Sequence, residues 1–325
     1  MGVIAQLQAT TRRNFPTKKV RDIYYNKPGV LKCLMDKAHV HFGQGGSNFS
    51  FPVENAAIND ASVGMYDGGN KNLTYVQDNL VTTLEFEHKF LYTYTFMTDA
   101  EIDKNKGPER ILNLHDIKVG GAHKAARNLL NNQLIAGTRT NANDIHGLVD
   151  IFDITYTTYG GLAAAGGIDL SDTAIGPAVV AIGGLITTMT KEVINQAFNA
   201  TWEFDMYADK IFANVAFRQQ IISLCLDQQR FNEGGGKWTI GPNKSPMWMG
   251  MVEVETDRNM SGVAAAYMCN MDLFHLMFAY SGDGMKKSGW YDLRDTVGTI
   301  AYVVKAASAF SCNDPHENAK ITWTT

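Results

Sequence analysis

The side chains that most often do chemistry are sparse in this sequence and poorly spaced for it. Eight histidines are scattered over 325 residues, and no H-E-x-x-H or comparable metal pattern occurs. His39 and His41 flank a single residue and would share one strand face, while His115 and His123 lie eight apart, about two turns of a helix. Neither pair has a carboxylate at ligand spacing, so no metal site is expected. His88 falls among alternating aromatics and reads as a hydrogen-bonded core histidine. Cys33, Cys225, Cys269 and Cys312 form no C-x-x-C pair. That excludes a zinc knuckle and a redox dithiol, and the four read as small hydrophobes in a reducing compartment.

Gly234-Gly235-Gly236-Lys237 looks like part of a phosphate loop. Trp238 stands where Ser or Thr must reach Mg²⁺, and Phe231 occupies the place of the earlier glycine, so a loop tip is the better reading. There is no G-x-S-x-G elbow and no G-x-G-x-x-G between a strand and a helix. Glu253 and Glu255 share a strand face and read as a solvated edge rather than an acid/base pair. No catalytic residue and no cofactor are expected.

With so little chemistry to position, the elements carry the reading. The length fits two domains of about 100 to 200 residues each. Charged residues make 19% of the chain, against about 25% in typical soluble proteins. Surface covered by other subunits would account for that shortage. The net charge of −4 hides an asymmetry: residues 1–40 carry eight basic side chains against two acidic, giving +6, and the remaining 285 residues sum to −10. Arg12, Arg13, Lys18, Lys19 and Arg21 head this basic arm, which suits phosphates, an acidic partner or the acidic face of a sister subunit. The N-terminus lacks the apolar core of a secretory signal. The longest uncharged stretch, 173–190, is interrupted by Pro177 and Gly183-Gly184 and makes a poor membrane span. The chain is expected to be soluble and cytoplasmic at synthesis, with no membrane partner.

Along the chain, Lys27-Pro28-Gly29 ends the arm, and residues 30–42 read as a short helix or strand. Residues 49–53 alternate as a strand, and 54–72 are polar and turn-rich, so a long hairpin-like excursion is expected. Over 84–96 the even positions run Leu, Phe, His, Phe, Tyr, Tyr, Phe against mostly polar odd positions. This predicts a strand with one buried aromatic face, about 40 Å long at roughly 3.3 Å per residue, bent or shared between a body and an extension. Gly107-Pro108-Glu109 opens a predicted helix that Gly137 stops, with a bend or break at Gly120-Gly121. Helices follow at 191–198, capped by Thr190, and 215–226, capped by Asn214. Strands return over 237–270, and two more close the chain at 299–310 and 319–323. Eight of the fourteen methionines fall within residues 247–285, either as an adaptable subunit contact or as ordinary core filling.

Taken in order, these parts resemble a tailed-phage major capsid protein of the HK97 fold. The strings that carry the likeness are Gly147-Leu148-Val149-Asp150 after the long helix, Thr157-Thr158-Tyr159-Gly160-Gly161-Leu162, and Asp209-Lys210-Ile211-Phe212-Ala213-Asn214 between two helices. Tyr267-Met268-Cys269-Asn270-Met271-Asp272 and the terminal Asn318-Ala319-Lys320-Ile321-Thr322 add to it. The tryptophan-rich stretch often seen after the Tyr-Gly-Gly segment is missing, since 166–178 contains no tryptophan.

The resemblance implies an α+β chain with an N-terminal arm at 1–30 and a peripheral domain at 31–150 and 300–325. That domain would include an extended loop near 45–80 and a spine helix near 108–136, and an axial domain would span 151–299. Glu54, Asp60, Tyr66, Asp67, Lys71 and Tyr75 would lie on the loop and meet neighbouring subunits. Function would be self-assembly into pentamers and hexamers of an icosahedral shell around packaged double-stranded DNA, in a virion assembled in the host cytoplasm, with a scaffolding protein and a portal as partners. Because no long helical prodomain follows Met1, the scaffold is expected to be a separate protein. Some members join subunits by a lysine-to-asparagine bond, for which Lys71, Asn313 and Glu317 lie in the matching regions. The alternatives are an encapsulin-like compartment and, in another class, an oligomeric enzyme with a Gly-rich pocket at 154–190.

Overall fold

A computed structural model describes residues 29–36, 40–42, 48–54, 81–105, 113–155, 159–160, 169–171, 176–201, 208–229, 247–248, 252–282, 284–293 and 298–324. The Lys27-Pro28 turn, the helix start at 107–109 and the 234–237 glycine loop fall outside them.

The chain enters through helix α1 (Gly29–Asp36), which buries Val30, Leu31, Cys33 and Leu34 on one side. Strand β1 (Val40–Phe42) follows, so the 30–42 segment is both helix and strand. Strands β2 (Asn48–Glu54) and β3 (Val81–Glu87) pair antiparallel from Asn48↔Glu87 to Glu54↔Val81. They flank the expected excursion, whose residues 55–80 lie outside the described ones. Phe49 stacks on Phe86 with ring centres 5.5 Å apart, so the hairpin root has an apolar face of its own.

The long strand of 84–96 is broken at His88 into β3 and β4 (Lys89–Thr98). Here the structure corrects the sequence reading. Leu84, Phe86 and His88 are buried, as period two requires, but beyond His88 the parity flips. Leu91 and Met97 are buried, while Phe90, Tyr92, Tyr94 and Phe96 are exposed. β3 pairs with the hairpin and β4 with a different sheet. Alternation continues through the break, but the partner covering it changes sides. The short helix α2 (Asp99–Lys104) follows, with a capping box in which Thr98 accepts from the Glu101 N–H and Glu101 accepts from the Thr98 N–H.

Helix α3 (Leu114–Ala136) buries Ala122, Ala126, Leu130 and Leu134, a stripe at i+4 spacing. It runs unbroken through Gly120-Gly121. Gly137 ends it by close approach rather than by a left-handed turn: its φ is −64°, and a Cβ there would sit 2.0 Å from the Ile145 carbonyl oxygen. Helix α4 (Leu148–Ile151) then turns the chain back.

The rest comprises β5 (Ala178–Leu185), α5 (Lys191–Ala200), β6 (Lys210–Ala213), α6 (Val215–Gln229), β7 (Met247–Trp248), β8 (Val252–Thr256), β9 (Ala265–Cys269), β10 (Phe274–Phe278), β11 (Met285–Asp292), β12 (Thr299–Cys312) and β13 (Ala319–Thr324). Asn214 caps α6 by accepting from the Phe217 N–H at 2.9 Å. Thr190 occupies the cap position of α5 without a side-chain bond.

One sheet runs β1-β10-β12-β11, with β4 on the other side of β12. A second runs β5-β13-β9-β6-β8-β7. β10 and β11 lie in the first sheet, and β13 lies between β5 and β9 in the second. β8 is an inner strand, so Glu253 is not on a solvated edge; it pairs with Lys210 of β6 instead.

α3 packs on β4 and β12, and its Leu130 and Leu134 join Val304, Ala306 and Phe310 in the larger core. α5 and α6 cover one face of the second sheet, with Ile194, Phe198, Phe217 and Ile221 against Ile211, Met268 and Ile321. The other face adds Phe212, Tyr267 and Cys269 to the larger core. β9 is therefore buried on both faces, and all five of its residues are inaccessible. Met260, Met268, Met271 and Met285 are buried as well, which makes core filling the role of those four.

Candidate assembly surfaces

Of the eleven positions singled out in the arm and the loop, Arg12, Arg13, Lys18, Lys19, Arg21, Asp60, Tyr66, Asp67, Lys71 and Tyr75 lie outside the described residues. Glu54 is at the end of β2, opposite Val81. What the structure does describe is how the arm and the excursion are rooted.

The arm's root is a buried polar latch. One Asp257 carboxylate oxygen accepts from the Gly29 N–H at 2.8 Å and from the Asn131 side-chain amide at 2.8 Å. Asn131, on α3, accepts in turn from the Leu31 N–H at 3.0 Å. The first N–H groups of a helix have no partner within it, so these side chains supply what α1 lacks and hold its start to α3. A Cβ on Gly29 would sit 3.1 Å from the same carboxylate oxygen.

The excursion is rooted on the Tyr-Gly pair of the family-like string. Gly160 accepts from the Glu85 N–H of β3 at 2.7 Å. Its φ is +69°, and a Cβ would come within 2.8 Å of Leu84. Tyr159 is fully buried; its ring meets Phe86 edge-on at 5.3 Å, and its hydroxyl accepts from the Cys312 N–H at 2.8 Å. These two residues join the hairpin to β12. Asp150, from Gly147-Leu148-Val149-Asp150, is fully buried beside them. It accepts from His146 at 2.7 Å and from Arg139 at 3.2 Å. Burial alone would raise its carboxyl, but the His146 hydrogen bond and the charges of His146 and Arg139 outweigh it and hold the group below the ordinary carboxylate value.

The last two strings are hydrogen-bonded neighbours. β9 pairs antiparallel with β13, from Ala319↔Met268 to Thr322↔Ala265. Just beyond them, Asn270 donates its side-chain amide to Glu317 at 2.8 Å, and its N–H to Asn318 at 2.9 Å. Asn313 lies in the same turn and donates its N–H to the Leu273 carbonyl.

Among the described residues, the outer face of β4 carries a row of four exposed aromatics. Phe90 is 74% exposed, Tyr92 66%, Tyr94 63% and Phe96 54%. α3 covers the opposite face, where His115 packs on Trp290 with ring centres 4.6 Å apart and His123 meets the Tyr302 hydroxyl at 3.1 Å. Lys118 of α3 donates to Glu101 at 2.8 Å and to the Phe96 carbonyl, fastening the helix to the end of β4. The histidine pair thus serves helix-to-sheet packing. Sequence reasoning missed this surface because alternation marks two faces without saying which is covered.

No group of three His, Cys, Asp or Glu side chains able to hold a metal is found among the described residues. A cavity of about 120 Å³ between β4 and α3, lined by Phe90, Leu91, Leu129 and Gln133 among others, is well below the roughly 300 to 1,000 Å³ of ligand pockets. In the Gly-rich 154–190 region, β5 forms one edge of the second sheet. Among the described residues no helix is long and apolar enough to cross a membrane.

No protein-family model and no curated protein matches the sequence. Solved structures do match in fold. The capsid of a native GTA particle superposes with a TM-score of 0.63 at 11% identity, over 100% of this chain and 99% of that one. The capsid of the cyanophage P-SCSP1u gives 0.58 at 11% identity, over 98% and 94%. The holo-SrpI encapsulin complex from Synechococcus elongatus gives 0.58 at 10% identity, over 99% and 97%. The chain therefore has the HK97-like α+β fold that its sequence strings resemble.

Proposed function

We propose that this chain is a major capsid protein that self-assembles into a closed shell. The observation that carries the reading is the extent of the likeness: a shell subunit superposes on all of this chain, with 99% of its own length matched. The physical features agree with it. A sheet face of exposed aromatics is a surface that one subunit leaves for others to cover.

In finer detail, the subunits form pentamers and hexamers of an icosahedral virion shell around packaged double-stranded DNA, assembled in the host cytoplasm with a separate scaffolding protein and a portal. The arm, carrying Arg12, Arg13, Lys18, Lys19 and Arg21, meets DNA or scaffold on the inside, and residues 45–80 reach a neighbouring subunit. Electron microscopy of the purified protein under assembly conditions tests the reading. Closed particles with five-fold and six-fold clusters are expected, and a small discrete oligomer by light scattering would overturn it.

An encapsulin-like compartment is the second reading, favoured by the likeness to the SrpI complex. Particle contents separate the two: nuclease-protected double-stranded DNA supports the virion, and a stoichiometric protein cargo supports the compartment.

A further inference from the structure

The exposed aromatic face has a chemistry that narrows what covers it. Residues opposite each other in an antiparallel ladder share a face. Tyr92 is opposite Lys305 on β12, and Lys305 is opposite Lys286 on β11. Phe96 is opposite Ala301, and Ala301 is opposite Tyr291, itself 53% exposed. The outer face of this three-stranded patch therefore presents Phe90, Tyr92, Tyr94, Phe96 and Tyr291 around two exposed lysines. The only carboxylate on these three strands, Asp292, pairs with Ile300, which pairs with the buried Met97 on the α3 side.

At about 200 Å² per aromatic side chain, the exposed fractions of the five rings amount to roughly 600 Å². That is at the upper limit of patches on stable monomers, about 300 to 600 Å², and close to the roughly 800 Å² that each partner gives to a standard interface. The lysines ask for an acidic partner. The chain's own arm, residues 1–30, is basic at +5 and would be repelled, whereas residues 31–325 carry −9. Two lysines are also few for a nucleic-acid platform, which needs a row of phosphate contacts.

We propose that the outer face of β4, β12 and β11 is a contact between copies of this chain, seating an acidic surface of a second copy on Tyr92, Tyr94, Lys305 and Lys286. The inference rests on the self-assembly reading and assigns one of its interfaces. Hydroxyl-radical footprinting read by mass spectrometry compares assembled with dissociated wild-type protein. Tyr92 and Tyr94 are expected to label at least five-fold more slowly in particles. Equal labelling in both states would overturn the inference while leaving self-assembly intact. Protection already present in dissociated chains would place a segment of the same chain on the face and overturn it too. Protection appearing only when nucleic acid is added would assign the face to that ligand instead.

A second arm uses Tyr92→Ser with Tyr94→Ser, both exposed and so compatible with a wild-type melting temperature. The concentration needed for assembly should rise at least ten-fold, and Lys305→Glu should raise it in the same direction. Assembly of the double variant at the wild-type concentration would sink the proposal. Wild-type protein that never assembles would defeat the self-assembly reading, a separate outcome.

Discussion

Asp150 shows how one buried charge sets part of the pH response. Its carboxylate is held by Arg139 and His146 at the foot of the hairpin, with a folded-state pKa below the ordinary value of 3.8. A depressed carboxylate pKa contributes stability that is fully present above the unfolded-state value and is lost as pH falls through the folded one. Asp150→Asn should therefore cost about 3 kcal/mol at pH 7, since it leaves a partly buried Arg139 without its counter-charge. The gap to wild type should narrow below about pH 4 as the wild-type carboxylate also becomes neutral. Urea unfolding at pH 7 and pH 3 checks this, and a gap unchanged between the two would show that the charge is not what stabilises.

The thiols respond at the other end of the scale. Burial, then the nearby Glu255, pushes Cys33 up to about 11, and burial also pushes Cys269 and Cys312 up. A thiol with a raised folded-state pKa keeps its stabilising contribution below the ordinary value of 9.0 and loses it as pH climbs toward the folded value. In native protein at pH 8, Cys33, Cys269 and Cys312 should resist Ellman's reagent and react within minutes once the chain is unfolded. Rapid native labelling mapped to any of the three would contradict their placement in the core.

At the scale of elements, the strongest test is the joint between hairpin and body. Gly160 adopts a left-handed backbone while its carbonyl holds β3. Gly160→Ala imposes the left-handed penalty of about 1 to 2 kcal/mol and drives a methyl group against Leu84. A loss of about 2 to 4 kcal/mol is expected, with faster amide exchange at Glu85 than elsewhere in β3. Wild-type stability would mean that the joint is not rigid.

The elements also show which features a sequence carries on its surface. The helix that Gly137 ends, the strand that begins at Thr299 and the Asn214 cap follow from periodicity and local hydrogen bonding, both written within a few residues. The face of β4 was not legible, because His88 ends one pairing and starts another, and the new partner, β12, lies more than 200 residues away in sequence. The Asp257–Asn131 latch was equally hidden. Asp257 reads as an ordinary loop residue that caps the turn at Arg258–Met260, which it does, while its second oxygen serves a helix 228 positions earlier.

For the whole molecule, the uneven charge is the feature with the largest consequence. A +5 arm, residues 1–28, joins a −9 body through the latch on Gly29. Two acceptors compete for such an arm: phosphates of packaged DNA and the acidic body of a sister subunit. Salt separates them poorly, because the Debye length falls from about 10 Å at 0.1 M to about 3 Å at 1 M for either partner. Replacing Arg12, Arg13, Lys18 and Lys19 by Gln separates them better. If the arm serves DNA or scaffold, the variant should unfold at the wild-type temperature, since its sites precede the described core, yet yield at least five-fold fewer DNA-filled particles. Each subunit should also neutralise up to four fewer phosphates, and the slope of log affinity against log salt should fall by about 0.9 for every phosphate left to its counterions. A variant that forms empty shells normally but fills poorly assigns the arm to DNA; one that forms no shells assigns it to scaffold or a sister subunit. Wild-type yields of both particles and genome would remove the arm from assembly and packaging altogether, leaving the asymmetry of charge without a role in the shell.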